Sequence, residues 1–352
     1  MNVLIVGQGY AGSMLAWFLI RNHVSVTVVD RNDSLSSTRV SAGIMLPVTG
    51  RRLAKTHQAD RILPFALDFY KEVEATTESG FYTPKDVLQI FTSLAHRNEW
   101  YARSADPGME SYVGEMISKN DVDPSVVNEF GGILLKKSGF VRPALFLEAT
   151  RMYIRQKGSF LDYNFQPNEI KYEEQNIRWN GNFYDYVIFC EGYHSMHQQL
   201  FGYLPFNPAK GEILDFKASG LTDKNILVNS AYVVPLGDAN FRTGSTYEWV
   251  EINEEPTSKG RLSLEENLRS IINCEYTITG HKAGVRPAVK DRRPLLGFHP
   301  VKKYIGIFNG LGTKGTMQGP MYAMQMAEYI CKGALPDEEV NIRRFDSLYQ
   351  EH

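Results

Sequence analysis

The stretch MNVLIVGQGYAGSMLAWFLIRNHVSVTVVD, residues 1–30, decides the fold. Its apolar run Asn2–Val6 predicts a buried parallel strand, and Val24–Val29 predicts a second one. Between them, the glycine-rich turn GQGYAG opens an apolar helical segment that continues to Arg21. Strand, glycine turn, helix and strand in this order predict a βαβ unit that binds a dinucleotide.

Each glycine of this motif, and the acid that follows it, has a physical task. Gly7 permits the tight turn, Gly9 lets backbone amides approach a pyrophosphate, and Gly12 allows the helix to pack closely on the strand. The helix N-terminus adds partial positive charge for the phosphates. Asp30 ends the second strand, where a carboxylate accepts ribose hydroxyls and would repel the extra phosphate of NADP. The motif alone leaves open whether the dinucleotide is NAD or FAD.

Composition narrows the function classes. The 352 residues carry a net charge of −2, without the basic surplus typical of nucleic-acid-binding proteins. Cys190, Cys274 and Cys331 lie far apart and form no C-x-x-C pair, which fits reduced thiols. The N-terminus enters a strand without a signal peptide, and no apolar run reaches the ~18 residues of a membrane span. We expect a cytoplasmic protein with neither a membrane nor a nucleic acid as partner, and the oligomeric state stays open.

The middle of the chain is rich in predicted strands. Gly50–Ser79 and Pro143–Arg155 have helical periodicity. Apolar runs predict strands at Val87–Thr92 and across residues 212–246, and a hairpin turns at Glu174-Gln175. An α/β start and finish therefore enclose a β-rich middle, which indicates one domain assembled from both chain ends.

The far end repeats the order of strand, glycine turn and helix. Tyr304–Met326 reads YIGIFNGLGTKGTMQGPMYAMQM, with Gly310, Gly312 and Gly315 at the turn and a helix from near Lys314. No further strand and acid follow, so a second nucleotide is not expected here. We predict that this turn faces the electron-rich edge of a ring such as reduced flavin, because a helix N-terminus stabilises negative charge.

Motifs along nearly the whole chain resemble the D-amino-acid oxidase and glycine oxidase family of FAD enzymes. They are, in the family's order, GQGYAG with Asp30, RVSAGIMLP, YDYVIFCEGY, KGEIL, AYVVPLGDANFRTGSTYE, AGVRPAVKDRRPLLG and FNGLGTKG. The resemblance implies FAD, because such enzymes carry one dinucleotide fold and no nicotinamide domain. FCEGY departs from the small residues more usual before Gly192. No cysteine matches the flavin-attachment position of the sarcosine-oxidase branch, so we expect non-covalent FAD.

The resemblance implies an α/β fold, α+β overall, in two parts. A Rossmann-type FAD-binding domain is built from both chain ends, residues 1–80, 140–205 and 285–352. A mixed or antiparallel β-sheet substrate domain comprises residues 81–139 and 206–284. Together the motifs and the resemblance predict cofactor contacts at Gly7, Gly9, Tyr10, Ala11, Gly12, Asp30, Arg31, Arg39, Ser41, Ala42, Gly43, Gly192, Gly310, Gly312, Thr313, Lys314 and Gly315.

Three residues are candidates for the chemistry. Arg286 matches the family's carboxylate-binding arginine, and its planar fork of donors suits a carboxylate; the alternative is a structural arginine paired with Asp or Glu. Tyr232 matches a tyrosine that helps to hold the substrate, with a cross-strand aromatic as the alternative and Tyr247 able to exchange roles with it. Lys314 would place positive charge beside the flavin; the alternative is a solvated lysine.

A metal site is not expected. His194 and His197 lie three residues apart, but no third ligand is apparent in the sequence.

These features predict an FAD-dependent oxidoreductase that oxidises the C–N bond of a small carboxylate-bearing amino acid or secondary amine, by hydride transfer to flavin N5. Two alternatives stay open. AGVRPAVKDRRPLLG and NGLGTKG also resemble the oxidase half of the bifunctional tRNA 5-methylaminomethyl-2-thiouridine enzyme, which removes a carboxymethyl group from a wobble base; against it, the basic surplus of a tRNA binder is lacking. The other alternative is a flavin-binding protein without turnover.

Overall fold

The computed structural model of the protein describes residues 1–49, 54–173 and 176–350. Its helices are α1 (Tyr10–Arg21), α2 (Ser37–Val40), α3 (Ala59–Thr77), α4 (Leu94–Ser104), α5 (Pro143–Lys157), α6 (Ser258–Arg269) and α7 (Gly315–Lys332), with 3₁₀ turns at Pro167–Glu169, Gly192–His197 and Ile342–Leu348. Its strands are β1 (Asn2–Val6), β2 (Ser25–Asp30), β3 (Ile44–Met45), β4 (Val48–Thr49), β5 (Ala54–Lys55), β6 (Tyr82–Pro84), β7 (Val87–Ile90), β8 (Val113–Ile117), β9 (Gly132–Leu135), β10 (Gly139–Val141), β11 (Ser159–Asp162), β12 (Lys171–Tyr172), β13 (Ile177–Trp179), β14 (Asn182–Tyr184), β15 (Tyr186–Phe189), β16 (Ala209–Lys217), β17 (Ile226–Val228), β18 (Tyr232–Gly237), β19 (Asn240–Gly244), β20 (Thr277–Arg286), β21 (Leu295–Phe298) and β22 (Ile305–Asn309).

One sheet joins the two ends of the chain. Its strand order is β11-β2-β1-β15-β22-β21, parallel throughout except for the antiparallel pair β21–β22. The predicted βαβ unit is confirmed, because β1 pairs in parallel with β2 and α1 connects them. Strand β1 also pairs with β15, which in turn pairs with β22, so the two glycine turns follow strand ends that are separated by β15 alone.

Helices α1 and α7 pack against each other on this sheet, and glycines permit the close approach. A Cβ on Gly319 would lie 2.6 Å from the Met14 sulfur. The surrounding core includes the fully buried side chains of Trp17 and Tyr70. The helix that follows the second glycine turn is thereby fixed beside the helix that follows the first.

A second, mixed sheet is built from the middle of the chain. Its strand order is β20-β16-β19-β18-β17-β7-β9-β8. Within this sheet, as far as the structure describes it, β17–β7 is the only parallel pair and the other neighbouring strands are antiparallel. The longest pairing joins β16 to β20 and sets Ala209 opposite Arg286. The β-rich middle predicted from the sequence is confirmed.

Local details differ from the sequence-based predictions. The helix expected across Gly50–Ser79 begins only at Ala59, because residues 54–55 form β5 and pair with β4; residues 50–53 lie outside the described ranges. The hairpin near residue 174 is seen as the antiparallel pair β12–β13, whereas its turn, Glu174-Gln175, lies outside them. None of the helices within the described ranges has the length and apolar character required to traverse a bilayer.

A buried tyrosine completes the hydrogen bonding of α7. Residue 320 is a proline inside the helix, so the Thr316 carbonyl lacks its usual donor four residues on. The Tyr70 hydroxyl of α3 donates to this carbonyl at 2.6 Å instead. Tyr70 is 0% exposed, so water has no access to replace that bond.

The substitution Tyr70→Phe should therefore lower the free energy of unfolding by about 1–2 kcal/mol, because a buried carbonyl loses its partner. Urea denaturation measures the change. Tyr101→Phe, on the exposed side of α4, serves as the control and should leave the stability within about 0.5 kcal/mol of wild type. Equal stability of wild type and Tyr70→Phe would show that this bond contributes nothing.

Candidate active site

A single large cavity, of about 1460 Å³, is lined by both glycine turns. Its wall includes the ends of β1, β2 and β22 from the first sheet and the segment that follows β15, together with residues of β16, β18 and β20 from the second sheet. Ligand pockets for drug-sized molecules usually span about 300–1,000 Å³. The cavity is thus large enough for a dinucleotide together with a small substrate.

The first turn has the geometry that a nucleotide cradle requires. Gly7 has φ +101°, and a Cβ there would lie 2.6 Å from the Cys190 carbonyl oxygen. A Cβ on Gly12 would lie 1.8 Å from the Gly7 oxygen, so glycine is needed for α1 to pack on β1. Gly9 is the N-cap of α1 and lines the cavity. The α1 N-terminus is therefore exposed to whatever fills the cavity, as an anion site demands.

Asp30 is fixed beside this turn by backbone donors. Its carboxylate accepts hydrogen bonds from the amide of Gln8 at 2.6 Å and the amide of Asn32 at 2.7 Å. The nearly buried Arg151 guanidinium lies 4.0 Å away and also donates to the Gln8 side chain at 2.8 Å. Each carboxylate oxygen keeps a second lone pair, so Asp30 remains able to accept ribose hydroxyls.

The second turn is tied to the β15 end by one buried amide. The Asn309 side chain donates to the Gly192 carbonyl at 2.8 Å and accepts from the Gly310 amide at 2.8 Å. Gly310 and Gly312 both have positive φ, +73° and +54°. Lys314 then serves as the N-cap of α7. Asn309 was not expected from the sequence, although it is the first residue after the apolar part of β22.

Almost all predicted cofactor contacts meet at the cavity. Gly12 and Gly310 do not line it; Gly12 packs under the turn, and a Cβ on Gly310 would press on Val289 and Leu295. Both glycines shape the backbone from behind. The predicted residues that line the cavity are Gly7, Gly9, Tyr10, Ala11, Asp30, Arg31, Arg39, Ser41, Ala42, Gly43, Gly192, Gly312, Thr313, Lys314 and Gly315.

Arg286 reaches the same cavity from the end of β20. Its Nη2 donates to the Ser245 hydroxyl at 2.6 Å and to the Thr246 carbonyl at 3.3 Å, and Nη1 donates to the Ala209 carbonyl at 3.5 Å. Among the described residues, no Asp or Glu forms an ion pair with it. Three acceptors leave part of the five-donor fork for a ligand. The guanidinium is thus a positioned cation whose counter-charge is not supplied by these residues.

A glycine makes room for this guanidinium. A Cβ on Gly211 would lie 2.0 Å from the Arg286 Nη2 atom. The sequence motif KGEIL contains Gly211, but the need for a glycine there arises from the pairing of β16 with β20, which the sequence does not show.

Two tyrosines stand near Arg286. Tyr232 lines the cavity, and burial raises the pKa of its hydroxyl to about 12, with Arg286 acting in the opposite direction. Tyr247 also lines the cavity, and the Arg286 guanidinium carbon lies 4.4 Å from its ring centroid. Tyr232 therefore stays a neutral hydrogen-bonding group, whereas Tyr247 packs on the arginine by a cation–π contact.

Lys314 is half-buried at the cavity wall and donates to the Thr56 hydroxyl at 3.0 Å. Burial lowers the pKa of its amine, and the nearby Arg293 and Arg292 add to that effect. Lys314 is therefore not a freely solvated lysine in this structure.

The histidines of the 192–197 turn do not act as a pair. His194 lies near Asp33 and Glu254, with potential ligand atoms within 4.8 Å of one another, whereas His197 is outside this group. The Arg31 guanidinium donates to Asp33 at 2.5 Å and to the His194 Nε2 at 2.7 Å. Burial, followed by Arg31, lowers the pKa of His194 to about 4. A cation of the protein itself, the Arg31 guanidinium, thus contacts two of the three members of this group.

The unusual Glu191 of FCEGY also lines the cavity. It accepts a hydrogen bond from the Gln198 side chain, and burial raises its pKa to about 7. A carboxyl group whose pKa is raised toward neutrality carries less negative charge than an ordinary glutamate, which is compatible with nearby phosphates. The sequence marked this position as a departure but gave no sign of its protonation.

Fold and site together define a dinucleotide-binding α/β class whose cavity is lined by an arginine that has no acidic partner among the described residues. Residues 2–329 match the family described as FAD dependent oxidoreductase (DAO), and the chain belongs to this family.

Curated relatives match at low identity. The tRNA 5-methylaminomethyl-2-thiouridine biosynthesis bifunctional protein MnmC of Actinobacillus pleuropneumoniae serotype 5b (strain L20) is 23% identical over 59% of this chain and 37% of its own length. The protein of the same name from Shewanella loihica (strain ATCC BAA-1088 / PV-4) is 22% identical over 94% of this chain and 56% of its own. The chain thus spans only about a third to somewhat over half of these relatives.

Solved structures share the fold. Iminodiacetate oxidase (IdaA) from Chelativorans sp. BNC1 gives a TM-score of 0.82 at 20% identity, covering 97% of this chain and 98% of that one. Glycine oxidase from Bacillus cereus ATCC 14579 gives 0.80 at 18%, covering 96% and 98%. L-proline dehydrogenase from P. horikoshii gives 0.80 at 16%, covering 99% of each. The predicted α/β fold and FAD as cofactor are confirmed.

The residues that line the cavity supply the groups that FAD requires. A Cβ-free cradle lies at Gly7, α1 begins at the cavity, and a fixed acid stands at Asp30, which is the donor and acceptor set that an adenine dinucleotide uses. The second helix N-terminus, at Lys314, meets the same space. The residues fit the cofactor.

Gly9→Val should yield protein that purifies colourless, because the new side chain projects where the pyrophosphate must approach the backbone. The ratio of flavin absorbance to protein absorbance measures retention. Gly80→Val is the matched control, since a Cβ there meets nothing within 4 Å, and it should remain yellow. A yellow Gly9→Val protein would remove the phosphates from this turn.

Proposed function

We propose that this protein oxidises the C–N bond of a small amino acid or secondary amine that carries a carboxylate. The observation that carries the proposal is Arg286, a cavity-lining guanidinium that finds no carboxylate partner among the described residues. An arginine held by neutral acceptors retains its full charge for a ligand. A carboxylate is the group that its planar fork binds best.

Each side chain of the site has a proposed task. Arg286 fixes the substrate carboxylate and thereby the direction of the Cα–H bond, which is most of what a hydride transfer asks of the protein. The Tyr232 hydroxyl, neutral at physiological pH, donates to the carboxylate or accepts from the amine. Bound FAD supplies the hydride acceptor at N5, leaving an imine that water hydrolyses.

The cofactor contacts remain a proposal as well. The Gly7–Gly12 turn and Asp30 hold the adenosine and pyrophosphate, and the turn before α7, with Lys314, meets the ring. Residues 1–80, 140–205 and 285–352 then form the FAD-binding part, and residues 81–139 and 206–284 the substrate part. The binding is non-covalent, because the one cysteine at the cavity, Cys190, is at the Gly7 end and burial raises its thiol pKa. Cys190, Cys274 and Cys331 are free thiols, which supports a cytoplasmic location.

The central experiment is anaerobic titration of the purified yellow protein with glycine, sarcosine, proline and a panel of D-amino acids. We expect at least one of them to bleach the oxidised flavin band. A flavin that stays oxidised with every amine would instead support a protein that binds FAD without turnover.

Arg286→Ala should keep FAD bound and lower kcat/KM for the best carboxylate substrate by about tenfold or more, since a lost charged hydrogen bond costs about 1.5–3 kcal/mol. Steady-state kinetics and the flavin spectrum give the two readouts. Lys282→Ala, on the same strand but outside the cavity, is the control. Unchanged kinetics in Arg286→Ala would exclude it from the site.

A second candidate is oxidation of a carboxymethylaminomethyl group on a tRNA wobble base, favoured by the curated relatives of that pathway. This function requires tRNA binding, which phosphate contacts would dominate. We expect unfractionated tRNA not to retard the protein in a gel at low salt and micromolar protein, given the net charge of −2. Retardation would reverse the preference between the two candidates.

A further inference from the structure

Two aromatic side chains stand exposed at the rim of the site. Tyr247 is 52% exposed and Trp249 is 58% exposed, and their rings stack with centroids 5.8 Å apart at an angle of 25°. Large aromatic rings are normally mostly buried, and an exposed pair beside a pocket is typical of a recognition surface. We call Tyr247 and Trp249 the rim pair.

The rim pair is continuous with the carboxylate site. Tyr247 lines the cavity and packs on Arg286, whereas Trp249 does not line it and extends the aromatic surface away from it. If Arg286 holds the substrate carboxylate, a substituent that extends from the substrate nitrogen out of the cavity would therefore contact these rings first.

Hydrogen bonds to β16 fix the loop that carries the rim pair. The Glu248 backbone exchanges hydrogen bonds of 2.9 and 3.0 Å with Lys210, and its carboxylate accepts from the amides of Trp249 and Val250 at 2.8 Å each. Lys210 is 1% exposed, and its amine donates to the Asn253 side chain at 2.6 Å. The exposure of the rings is thus part of a fixed loop structure.

The same loop is anchored further along its length. Glu212, only 4% exposed, accepts from the Thr257 amide at 2.9 Å and from its hydroxyl at 2.8 Å. Glu212 and Lys210 lie on one face of β16, and Gly211 lies between them on the cavity face. One strand therefore supports the rim pair on one side and leaves room for Arg286 on the other.

Charge indicates the kind of group that the rim pair accepts. Glu251 and Glu255 follow the aromatic residues in the loop, whereas Glu254 lies in the group with Asp33 and His194. Carboxylates at this density repel a polyphosphate chain, whereas they tolerate a neutral or cationic ring.

We propose that the rim pair recognises a planar ring carried by the substrate nitrogen, so that the preferred substrate is a small N-(arylmethyl)glycine-type amine. This inference rests on the proposed function and names the substrate class of the same site. Stacking on an aromatic side chain is selective for flat rings and tolerant of their identity.

Binding of unreactive ether analogues tests the inference without turnover. Calorimetry on the FAD-loaded protein compares benzyloxyacetate with methoxyacetate and (cyclohexylmethoxy)acetate, which lack the ring or its planarity. We expect benzyloxyacetate to bind about fivefold or more tightly than either of them. Equal dissociation constants for the three compounds would overturn the proposal.

Variants identify the residues responsible. Trp249→Ala should reduce the benzyl preference to about twofold or less, Trp249→Phe should retain most of it, and Tyr101→Ala, at another position of 52% exposure, should leave it intact. Flavin content and melting temperature confirm that each variant is folded. A preference that survives in Trp249→Ala would overturn the assignment to the rim pair.

Three further outcomes separate the small-amine proposal from its alternatives. Displacement of benzyloxyacetate by unfractionated tRNA would overturn the small-amine proposal in favour of a nucleic acid. Bleaching of the flavin by sarcosine without any benzyl preference would defeat the inference alone, whereas a benzyl preference without bleaching by any amine would defeat the proposed function alone.

Discussion

The parallel pairing of β1 with β15 and of β15 with β22 is the constraint on which the rest of the structure depends. These three strands come from positions separated by most of the chain, yet their carboxyl ends fall side by side. Ligands of open α/β sheets bind at that edge. Helices α1 and α7, which leave it, pack on each other and fix the two glycine turns around one cavity.

The second sheet completes the cavity by a different device. Pairing of β16 with β20 brings Arg286 opposite Ala209, and the missing side chain of Gly211 leaves space for the guanidinium. Neutral acceptors hold the arginine without cancelling its charge. The other face of β16 buries Lys210 and Glu212, which anchor the loop that carries Tyr247 and Trp249. The placement of Arg286 and of the rim pair therefore depends on this one strand.

Prediction from the sequence worked best where the physics is local. The GQGYAG turn, its flanking strands and Asp30 lie within 30 residues. Each has a backbone or charge requirement that the residue types at those positions indicate directly. Gly12 and Gly310 were predicted as contacts but shape the turns from behind, a distinction that depends on what packs against them. The tasks of Asn309 and Gly211 and the raised pKa of Glu191 were not predictable from the sequence, because the groups that surround these residues are distant in the chain.

The sequence by itself determined the dinucleotide fold, the FAD-enzyme family and the candidate arginine, since short motifs of glycines, apolar runs and one cation carry them. Only the tertiary structure decided that Arg286 has no acidic partner among the described residues, and that Tyr247 stacks on it with Trp249 exposed beyond. The physical reason is that charge pairing and burial are properties of neighbours in space, and long-range strand pairing and helix packing decide which neighbours those are.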